Sequence, residues 1–199
     1  MYSFRNDYSE GAHPKVLQAL ADTNLRQTVG YGMDPCCQAA ADTIRRLCAA
    51  PDAAVHFLVG GTQVNLVTID AFLQSYEAVV AAQTGHVSTH ETGAIEATGH
   101  KVCTVESPDG KLTPALVESV LAGHNGTEHM VLPRMVYISD TTEIGTVYTR
   151  AELAALRQCC DVHGLFLYLD GARLGSALTS PDNDLTLPDL AALTHAFTR

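Results

Sequence analysis

Apolar runs rich in β-branched residues alternate with helical patterns along this chain, and this alternation most constrains its fold. It is typical of an α/β protein with a mostly parallel sheet flanked by helices. Two of the runs are almost continuously apolar, as strands buried on both faces should be. The predicted strands span residues 55–59, 78–81, 101–105, 135–138 and 165–169. The predicted helices span residues 14–24, 38–50, 62–74, 114–122, 150–163 and 187–194.

The composition restricts the class of protein further. The chain has 199 residues, of which 46% are hydrophobic and 17% charged, and its formal net charge is −10. It is too apolar for a disordered protein, and an acidic chain without a run of Lys or Arg suits neither nucleic acid nor an anionic membrane surface. No apolar stretch is long enough to span a bilayer, and the first residues lack the pattern of a signal peptide. We therefore predict a cytoplasmic protein with no nucleic-acid or membrane partner.

The six cysteines include two vicinal pairs, whose geometry is poor for a disulfide. The CxxC spacing that is typical of zinc knuckles does not occur. The sequence therefore predicts buried, reduced thiols at Cys36, Cys37, Cys48, Cys103, Cys159 and Cys160.

A glycine turn, Gly60-Gly61-Thr62-Gln63, lies between the predicted strand at 55–59 and the helix that follows it. In α/β proteins such a turn can hold a phosphate, because backbone N–H groups and the helix dipole attract the anion and a Thr hydroxyl adds a donor. The turn matches neither a Walker A loop nor a dinucleotide fingerprint. A tight turn without a ligand explains the pattern equally well.

A second polar motif, Asp170-Gly171-Ala172-Arg173, follows the apolar run at 165–169. A carboxylate at the carboxyl end of a parallel strand faces the ligand crevice of such a sheet. Asp170 could there bind a protonated heterocyclic nitrogen, and Arg173 could bind a carboxylate or phosphate. The alternative is that Asp170 caps the following turn and pairs with Arg173.

Two histidines four residues apart, His86 and His90, are followed by Glu91. A helix would place both rings on one face, which suggests a metal site. The order of the residues matches no zincin pattern, so we predict no metal there. The alternatives are an imidazole stacked on a flat cofactor and a pair of surface histidines. A polar stretch at 138–146, after another predicted strand, either lines the crevice or forms a solvated loop.

Together, the glycine turn, the strand-end aspartate with its arginine and the histidine resemble a pyridoxal 5′-phosphate pocket. In their order along the chain they resemble the threonine aldolase / β-eliminating lyase family, which has the aspartate-aminotransferase-like fold. The matching stretches are Arg5-Asn6-Asp7, Gly30 to Pro35, Phe57 to Asn65, His86 to Ala94 and Asp170 to Arg173. The resemblance implies that residues 1–199 comprise an N-terminal segment and most of the cofactor-binding large domain. This transferase-like domain would be incomplete, without the family's C-terminal small domain.

The resemblance also implies which residues contact the cofactor. Gly61 and Thr62 would bind its phosphate. His86 would stack on the pyridine ring and assist proton transfer. Asp170 would pair with the pyridinium nitrogen and keep it protonated, which makes the ring a better electron sink. Arg173 would contact cofactor and substrate alike.

For the substrate, the resemblance implies that Arg173 binds the amino-acid carboxylate with help from Asn6, and that Tyr31 reaches a neighbouring subunit's pocket. The implied reaction is retro-aldol cleavage of threonine or allo-threonine to glycine and acetaldehyde by a homo-oligomer, either a dimer or a tetramer. Such a lyase would act in amino-acid metabolism. Family members often have Ser at the position of Asn6. Bacterial members often have His in the loop that matches residues 140–145, which leaves open the base for the β-hydroxyl group.

The family's Schiff-base lysine is the main departure from the pattern. Members carry it in a Gly-Gly-Thr-Lys-like segment soon after the part that matches residues 195–197, and the present sequence ends before it. Lys15, Lys101 and Lys111 do not stand at an equivalent position. Two alternatives to an active aldolase follow. One is a catalytically inactive fragment of the fold, and the other is a β-eliminating lyase acting on a different amino acid.

Overall fold

The computed structural model describes residues 3, 5–124 and 126–198. The chain divides into two compact units, one ending at Ala40 and the other beginning at Ala41. The division falls within helix α2 (Pro35–Leu47), and the first unit also contains helix α1 (Pro14–Thr23). α1 stands where the sequence predicts it, whereas α2 begins and ends three residues earlier than predicted.

The start of α1 follows from its first residues. Pro14 occupies the first helical position, where its missing N–H costs no hydrogen bond. His13 caps the helix, because its Nδ1 accepts a hydrogen bond from the backbone N–H of Lys15. Leu20, on the same helix, is 61% exposed. The helix therefore forms from local signals while its apolar side chains stay at the surface.

A parallel sheet lies at the centre of the second unit. Its strands are β1 (Glu77–Ala82), β2 (Lys101–Val105), β3 (Leu132–Ser139), β4 (Phe166–Asp170) and β5 (Ala196–Phe197). Within the described residues the strand order is β2-β1-β3-β4-β5, and every neighbouring pair is parallel. β1, inside the sheet, is buried along its whole length. The predicted parallel α/β fold and four of the predicted strands are confirmed.

Helices flank the sheet, with bounds α3 (Gly61–Phe72), α4 (His86–Thr89), α5 (Ala94–Ala97), α6 (Pro114–Ala122), α7 (Arg150–His163), α8 (Leu174–Leu178) and α9 (Leu187–Leu193). The Thr113 hydroxyl caps α6 by accepting a hydrogen bond from the Leu116 N–H, and Thr149 forms a capping box with Glu152 at α7. α7 ends at Gly164, whose φ of 65° suits glycine. These local signals explain why α6 and α7 have their predicted bounds. Among the helices formed by described residues, none is both long and apolar enough to cross a bilayer.

The two faces of the sheet bury separate hydrophobic clusters. Successive side chains of β1 enter opposite clusters. Val80 shares one cluster with Leu153 and Leu156 of α7, whereas Val79 shares the other with Ile69 of α3. All five side chains are fully buried. Because helices cover both faces, the carboxyl ends of the strands form an edge that is available for a site.

The predicted strand at 55–59 is wrong. These residues form an irregular segment that pairs with none of the described strands, and Val59 is 87% exposed. The residue types suit a strand, but a strand also needs a neighbour with an unpaired edge, about which side-chain types say nothing. The glycine turn and α3 follow this segment, so the predicted order of turn and helix is confirmed.

All six cysteines lie among the described residues and carry free thiols. The predicted burial is confirmed for four of them. It is wrong for Cys36, which is exposed, and for Cys37, which is half-buried. Both stand in the first turn of α2, where the structure leaves the helix open to solvent.

Candidate active site

Polar side chains collect at the carboxyl edge of the sheet, where neighbouring strands end. Ser139 ends β3 and Asp170 ends β4, and the two residues are partners in the parallel register. His86 begins α4 shortly after the end of β1. Open α/β sheets bind their ligands at this edge. The fold therefore brings Asp170 and His86, which follow different strands, to one edge.

Three hydrogen bonds hold the Asp170 side chain, which is 7% exposed. Its Oδ2 accepts from the Tyr137 hydroxyl at 2.6 Å and from Asn65 Nδ2 at 3.0 Å, and its Oδ1 accepts from the Ala172 N–H at 2.9 Å. Each carboxylate oxygen offers about two acceptor positions. Within the described part of the chain, these bonds fill both positions of Oδ2 and one of Oδ1, so Oδ1 keeps a position for one further donor. The bond from Ala172 also shows that Asp170 caps the turn after β4.

Asn65 links Asp170 to Glu91. Its Nδ2 donates to Glu91 Oε1 at 3.0 Å as well as to Asp170, and its Oδ1 accepts from the Tyr168 hydroxyl at 2.6 Å. Because both the nitrogen and the oxygen of the amide are engaged, the orientation of this buried side chain is determined. Asn65 and Ile69 are the buried residues of α3, one turn apart. α3 therefore carries the glycine turn at its start and a support for Asp170 one turn later.

Burial keeps the two tyrosines of this network neutral. It raises the pKa of Tyr137 well above the ordinary value, and the neighbouring Asp170 carboxylate raises it further. The pKa of Tyr168 is raised by burial first and by Asp170 second. Each hydroxyl therefore stays protonated even in alkaline solution and donates, that of Tyr137 to Asp170 and that of Tyr168 to Asn65.

The His86 ring lies between two carboxylates, and 36% of its side chain is exposed. Nε2 is 3.7 Å from Glu91 Oε1, and Nδ1 is 3.6 Å from Glu143 Oε1. Both distances are too long for hydrogen bonds. Among the described residues, the second oxygens of Glu91 and Glu143 are buried without a hydrogen-bond partner. Buried acceptors of this kind mark a place where a ligand can supply donors.

Glu143 brings the loop after β3 to the same site. The Ser139 hydroxyl donates to Glu143 Oε1 at 3.3 Å. Burial raises the pKa of Glu143, whereas the charges of His86 and Arg173 lower it. Arg173, half-buried at the start of α8, is therefore close enough to act on the same carboxylate. The polar stretch at 138–146 thus contributes to the site.

The glycine turn lies at the start of α3. Gly60 has a φ of 80°, a conformation that other residues rarely adopt. Gly61 faces open space, since a Cβ added there meets none of the described atoms within 4 Å. The Val59 N–H donates to the Gln63 side chain at 3.0 Å and so ties the turn to the helix. N–H groups of a first helical turn have no acceptor within the helix, so this exposed turn, with Thr62, presents donors to solvent.

Residues 4–188 match the sequence model of the family described as Beta-eliminating lyase. The chain belongs to the beta-eliminating lyase family. A low specificity L-threonine aldolase from Pseudomonas sp. (strain NCIMB 10558) is 37% identical to it over 176 residues, which cover 87% of this chain and 50% of that protein. The chain thus spans about half the length of the curated relatives it matches.

Solved structures agree with this family. Threonine aldolase of Leishmania major is 58% identical, has a TM-score of 0.97, and is matched over 99% of this chain and 57% of that one. A Thermus thermophilus aspartate aminotransferase mutant is 19% identical with a TM-score of 0.65, over 89% of this chain and 45% of that one. The second likeness shows the fold alone. The predicted family and the aspartate-aminotransferase-like fold are confirmed.

Two residues predicted at the site of this beta-eliminating lyase, Asn6 and Tyr31, lie in the first unit. Asn6 is half-buried, and its Oδ1 accepts from the Tyr8 N–H at 3.2 Å and from the Ser9 hydroxyl at 2.6 Å. Tyr31 is fully exposed, with a φ of 62°. Their contribution to substrate binding stays a prediction.

The second unit of this beta-eliminating lyase contains two lysines, Lys101 and Lys111. Lys101 begins β2 and so stands at the amino edge of the sheet, opposite the edge where Asp170 lies. Lys111 forms an ion pair with Glu152 and also donates to the Val147 carbonyl. That neither lysine binds the cofactor covalently stays a prediction.

The sequence assigns no role to Asn65 or Tyr137, although both contact Asp170 in the structure. A signal exists for Asn65, since a polar residue stands one turn before Ile69 on the face that α3 buries. None exists for Tyr137, because an aromatic residue within an apolar strand is typical of a core. The roles of Glu91 and Glu143 depend on their burial beside His86, which their sequence positions do not reveal.

Proposed function

We propose that the protein is a pyridoxal 5′-phosphate-dependent aldehyde-lyase that cleaves threonine or allo-threonine to glycine and acetaldehyde. The observation that carries the proposal is the buried Asp170 carboxylate at the end of β4, which Tyr137 and Asn65 orient and whose Oδ1 keeps an acceptor position. The Pseudomonas and Leishmania relatives are both named threonine aldolases, which supports this substrate over that of another β-eliminating lyase.

The site residues fit pyridoxal 5′-phosphate at both of its charged ends. Asp170 Oδ1 would accept a charge-assisted hydrogen bond from the protonated ring nitrogen. The exposed N–H groups of Gly61 and Thr62 would bind the phosphate, which the dipole of α3 also attracts. Asn65 stands on the same helix, so one element would hold the phosphate and orient the carboxylate. When bound, the cofactor supplies the electron sink for cleavage of the Cα–Cβ bond.

His86 would stack on the cofactor ring and move a proton. Glu91 and Glu143 place a carboxylate oxygen 3.7 and 3.6 Å from its two ring nitrogens. We propose that His86 is the base that removes the proton from the β-hydroxyl group of the substrate. As this proton moves to the imidazole, the Cα–Cβ bond breaks, the hydroxyl carbon leaves as the aldehyde, and the electron pair remains at Cα. A proton delivered to Cα then completes glycine.

Arg173 would bind the substrate carboxylate through its planar fork of N–H donors. Asn6 would assist, and Tyr31 would reach the site of a neighbouring subunit in a homo-oligomer, a dimer or tetramer. Four large apolar side chains within residues 25–33 are strongly exposed, namely Leu25, Val29, Tyr31 and Met33. Such a concentration of exposed apolar surface supports an assembly. Residues 1–199 would supply an N-terminal segment and most of the cofactor-binding domain of a cytoplasmic enzyme.

The test is aldehyde release by the protein expressed from its complete reading frame. With pyridoxal 5′-phosphate we expect visible cofactor absorbance, and acetaldehyde from L-threonine or L-allo-threonine in an assay coupled to alcohol dehydrogenase. L-Serine and D-threonine serve as substrate controls. Cofactor absorbance with a product only from another amino acid would support a different β-eliminating lyase. Failure to bind the cofactor and to release aldehyde would support the inactive fold.

A further inference from the structure

Three metal-ligating side chains meet where α6 and α7 lie side by side. Cys159 and His163 stand one turn apart on α7 and therefore share a face of that helix. Glu118 comes from α6. One ligand atom of each residue, the thiol sulfur, a ring nitrogen and a carboxylate oxygen, lies within 4.8 Å of the other two. α7 ends at His163 before the chain enters β4, so the cluster is at the amino edge of the sheet, opposite the candidate active site.

The spacing approaches that of a tetrahedral metal site. With Zn–N and Zn–O bonds of about 2.0–2.2 Å and Zn–S bonds of about 2.3 Å, neighbouring ligand atoms of a tetrahedron lie roughly 3.3–3.6 Å apart. His163 Nε2 and Glu118 Oε1 are already 3.5 Å apart. Cys159 Sγ completes the set within the 4.8 Å limit, so small side-chain adjustments suffice to close it around an ion.

The burial of the three side chains is graded from the core outward. Cys159 is buried and belongs to the hydrophobic cluster on this face of the sheet. The side chains of His163 and Glu118 are 36% and 57% exposed. An ion would therefore reach the thiol from solvent by passing between His163 and Glu118, whose exposed side chains can change conformation. A simple surface ion pair between His163 and Glu118 would contribute little to stability and would not involve the cysteine.

We propose that Glu118, Cys159 and His163 bind a divalent cation of the zinc class. A thiolate with an imidazole favours Zn²⁺ or Co²⁺, whereas Mg²⁺ and Ca²⁺ prefer oxygen ligands. Three protein ligands leave the fourth tetrahedral position to water or to an external ligand. The bound ion joins α6 to α7, two helices that pack on the same face of the sheet.

The test uses Co²⁺ as a spectroscopic probe of the untagged, reduced protein from the complete reading frame. We expect a thiolate-to-cobalt charge-transfer band in the near ultraviolet that saturates at one equivalent and disappears when Zn²⁺ is added. Cys159→Ser should abolish the band. His163→Gln and Glu118→Gln should each weaken Co²⁺ binding at least about tenfold, since even the loss of an outer partner costs about 10–100-fold.

Cys36→Ser and His129→Gln are the matched controls, because they replace an exposed cysteine and an exposed histidine outside the cluster. Both should leave the band unchanged. Circular dichroism checks the fold of the Cys159 variant, and the exposed His163→Gln keeps the test decisive if that variant does not fold. The absence of a band at millimolar Co²⁺ would overturn the proposal. A band that survives in both Cys159→Ser and His163→Gln would also overturn it. So would a band that Cys103→Ala removes instead, since Cys103 Sγ lies 3.6 Å from His124 Nε2.

Discussion

Two buried aspartates, Asp140 directly after β3 and Asp170 at the end of β4, differ in how many hydrogen bonds their side chains accept. The Asp140 N–H donates to the Asp170 carbonyl at 3.1 Å, so the two residues stand side by side. The Asp170 side chain accepts three hydrogen bonds. The Asp140 side chain is 1% exposed and accepts one, from the Tyr148 N–H at 3.3 Å. Burial raises the pKa of Asp140 to about 6.

This difference shows that burial at a strand end does not by itself make a site for a cationic partner. At Asp140, desolvation outweighs the single donor and the attraction of Lys111. At Asp170, Tyr137 and Asn65 supply donors from two other elements, β3 and α3. Asp170 is therefore built as an oriented acceptor, whereas Asp140 is a buried acid that takes up a proton in mildly acidic solution.

The largest effect is expected from Asp170→Ala. Removing this preorganised partner of the ring nitrogen should lower kcat on the order of 10²–10³-fold. The fold should persist, as judged by circular dichroism. Acetaldehyde release measures kcat, and Asp182→Ala, in an exposed loop, is the control that keeps normal turnover. Near-normal turnover of Asp170→Ala would refute its proposed role.

Asp140→Asn should change how stability depends on pH. The folded-state pKa of about 6 lies above the ordinary 3.8, so the folded protein holds a proton that the unfolded chain releases. The stabilising contribution of Asp140 is therefore present below pH 3.8 and is lost as pH rises through 6. The neutral Asn avoids that loss. Relative to the parent, its free energy of unfolding should gain about 2 kcal/mol between pH 4 and pH 7.

Urea denaturation of parent and variant at both pH values measures this gain. Asp182→Asn is the control, because an exposed carboxylate should give no such change. A difference between Asp140→Asn and the parent that stays constant from pH 4 to pH 7 would contradict the buried-acid assignment.

Asn65→Ala should weaken both the fold and the reaction. It removes a donor from Asp170 and from Glu91 and leaves the Tyr168 hydroxyl without its acceptor. Unsatisfied buried polar groups cost about 1–3 kcal/mol, measurable by urea denaturation. The kcat should also fall, because the carboxylate loses its orientation. Asn183→Ala is the matched control, since its side chain bonds only to the backbone of Leu178 and Leu185 among the described residues. An equal kcat in both variants would show that Asn65 is structural only.

The smallest fall in kcat is expected from Tyr137→Phe, which removes one of the three donors of Asp170. Losing a hydrogen bond to a charged group should cost about 1.5–3 kcal/mol of stability at most. The fall in kcat should be smaller than in Asn65→Ala, because Tyr137→Phe leaves the bond from Asn65 to Glu91 intact. Tyr148→Phe is the matched control beside Asp140, since this hydroxyl accepts from the Leu112 N–H instead. It should lower stability alone, and a loss of kcat equal to that of Tyr137→Phe would contradict the assignment.

Local signals predicted most of the fold. The central strands contain the apolar runs at 78–81 and 135–138, and caps such as Thr113 and Gly164 mark the helix ends. The segment at 55–59 shows the limit of these signals, because its residue types suit a strand while no described strand pairs with it. Pairing depends on residues that are distant along the chain.

The candidate site divides in the same way. The position of Asp170 directly after an apolar run predicted that it stands at the crevice, and the family resemblance implied the same for His86. The support for Asp170 could not be predicted, because Asn65 is 105 positions away and Tyr137 is 33 positions away. The same holds for the cluster of Glu118 with Cys159, which depends on how two helices pack.

The sequence by itself determined the α/β layers, the family, and which carboxylate and which imidazole follow the strands. Only the tertiary structure decided that Asp170 receives three donors while its neighbour Asp140 receives one. The physical reason is that secondary structure responds to side chains a few positions apart. Hydrogen bonding and desolvation instead depend on which distant segments the folded chain brings into contact.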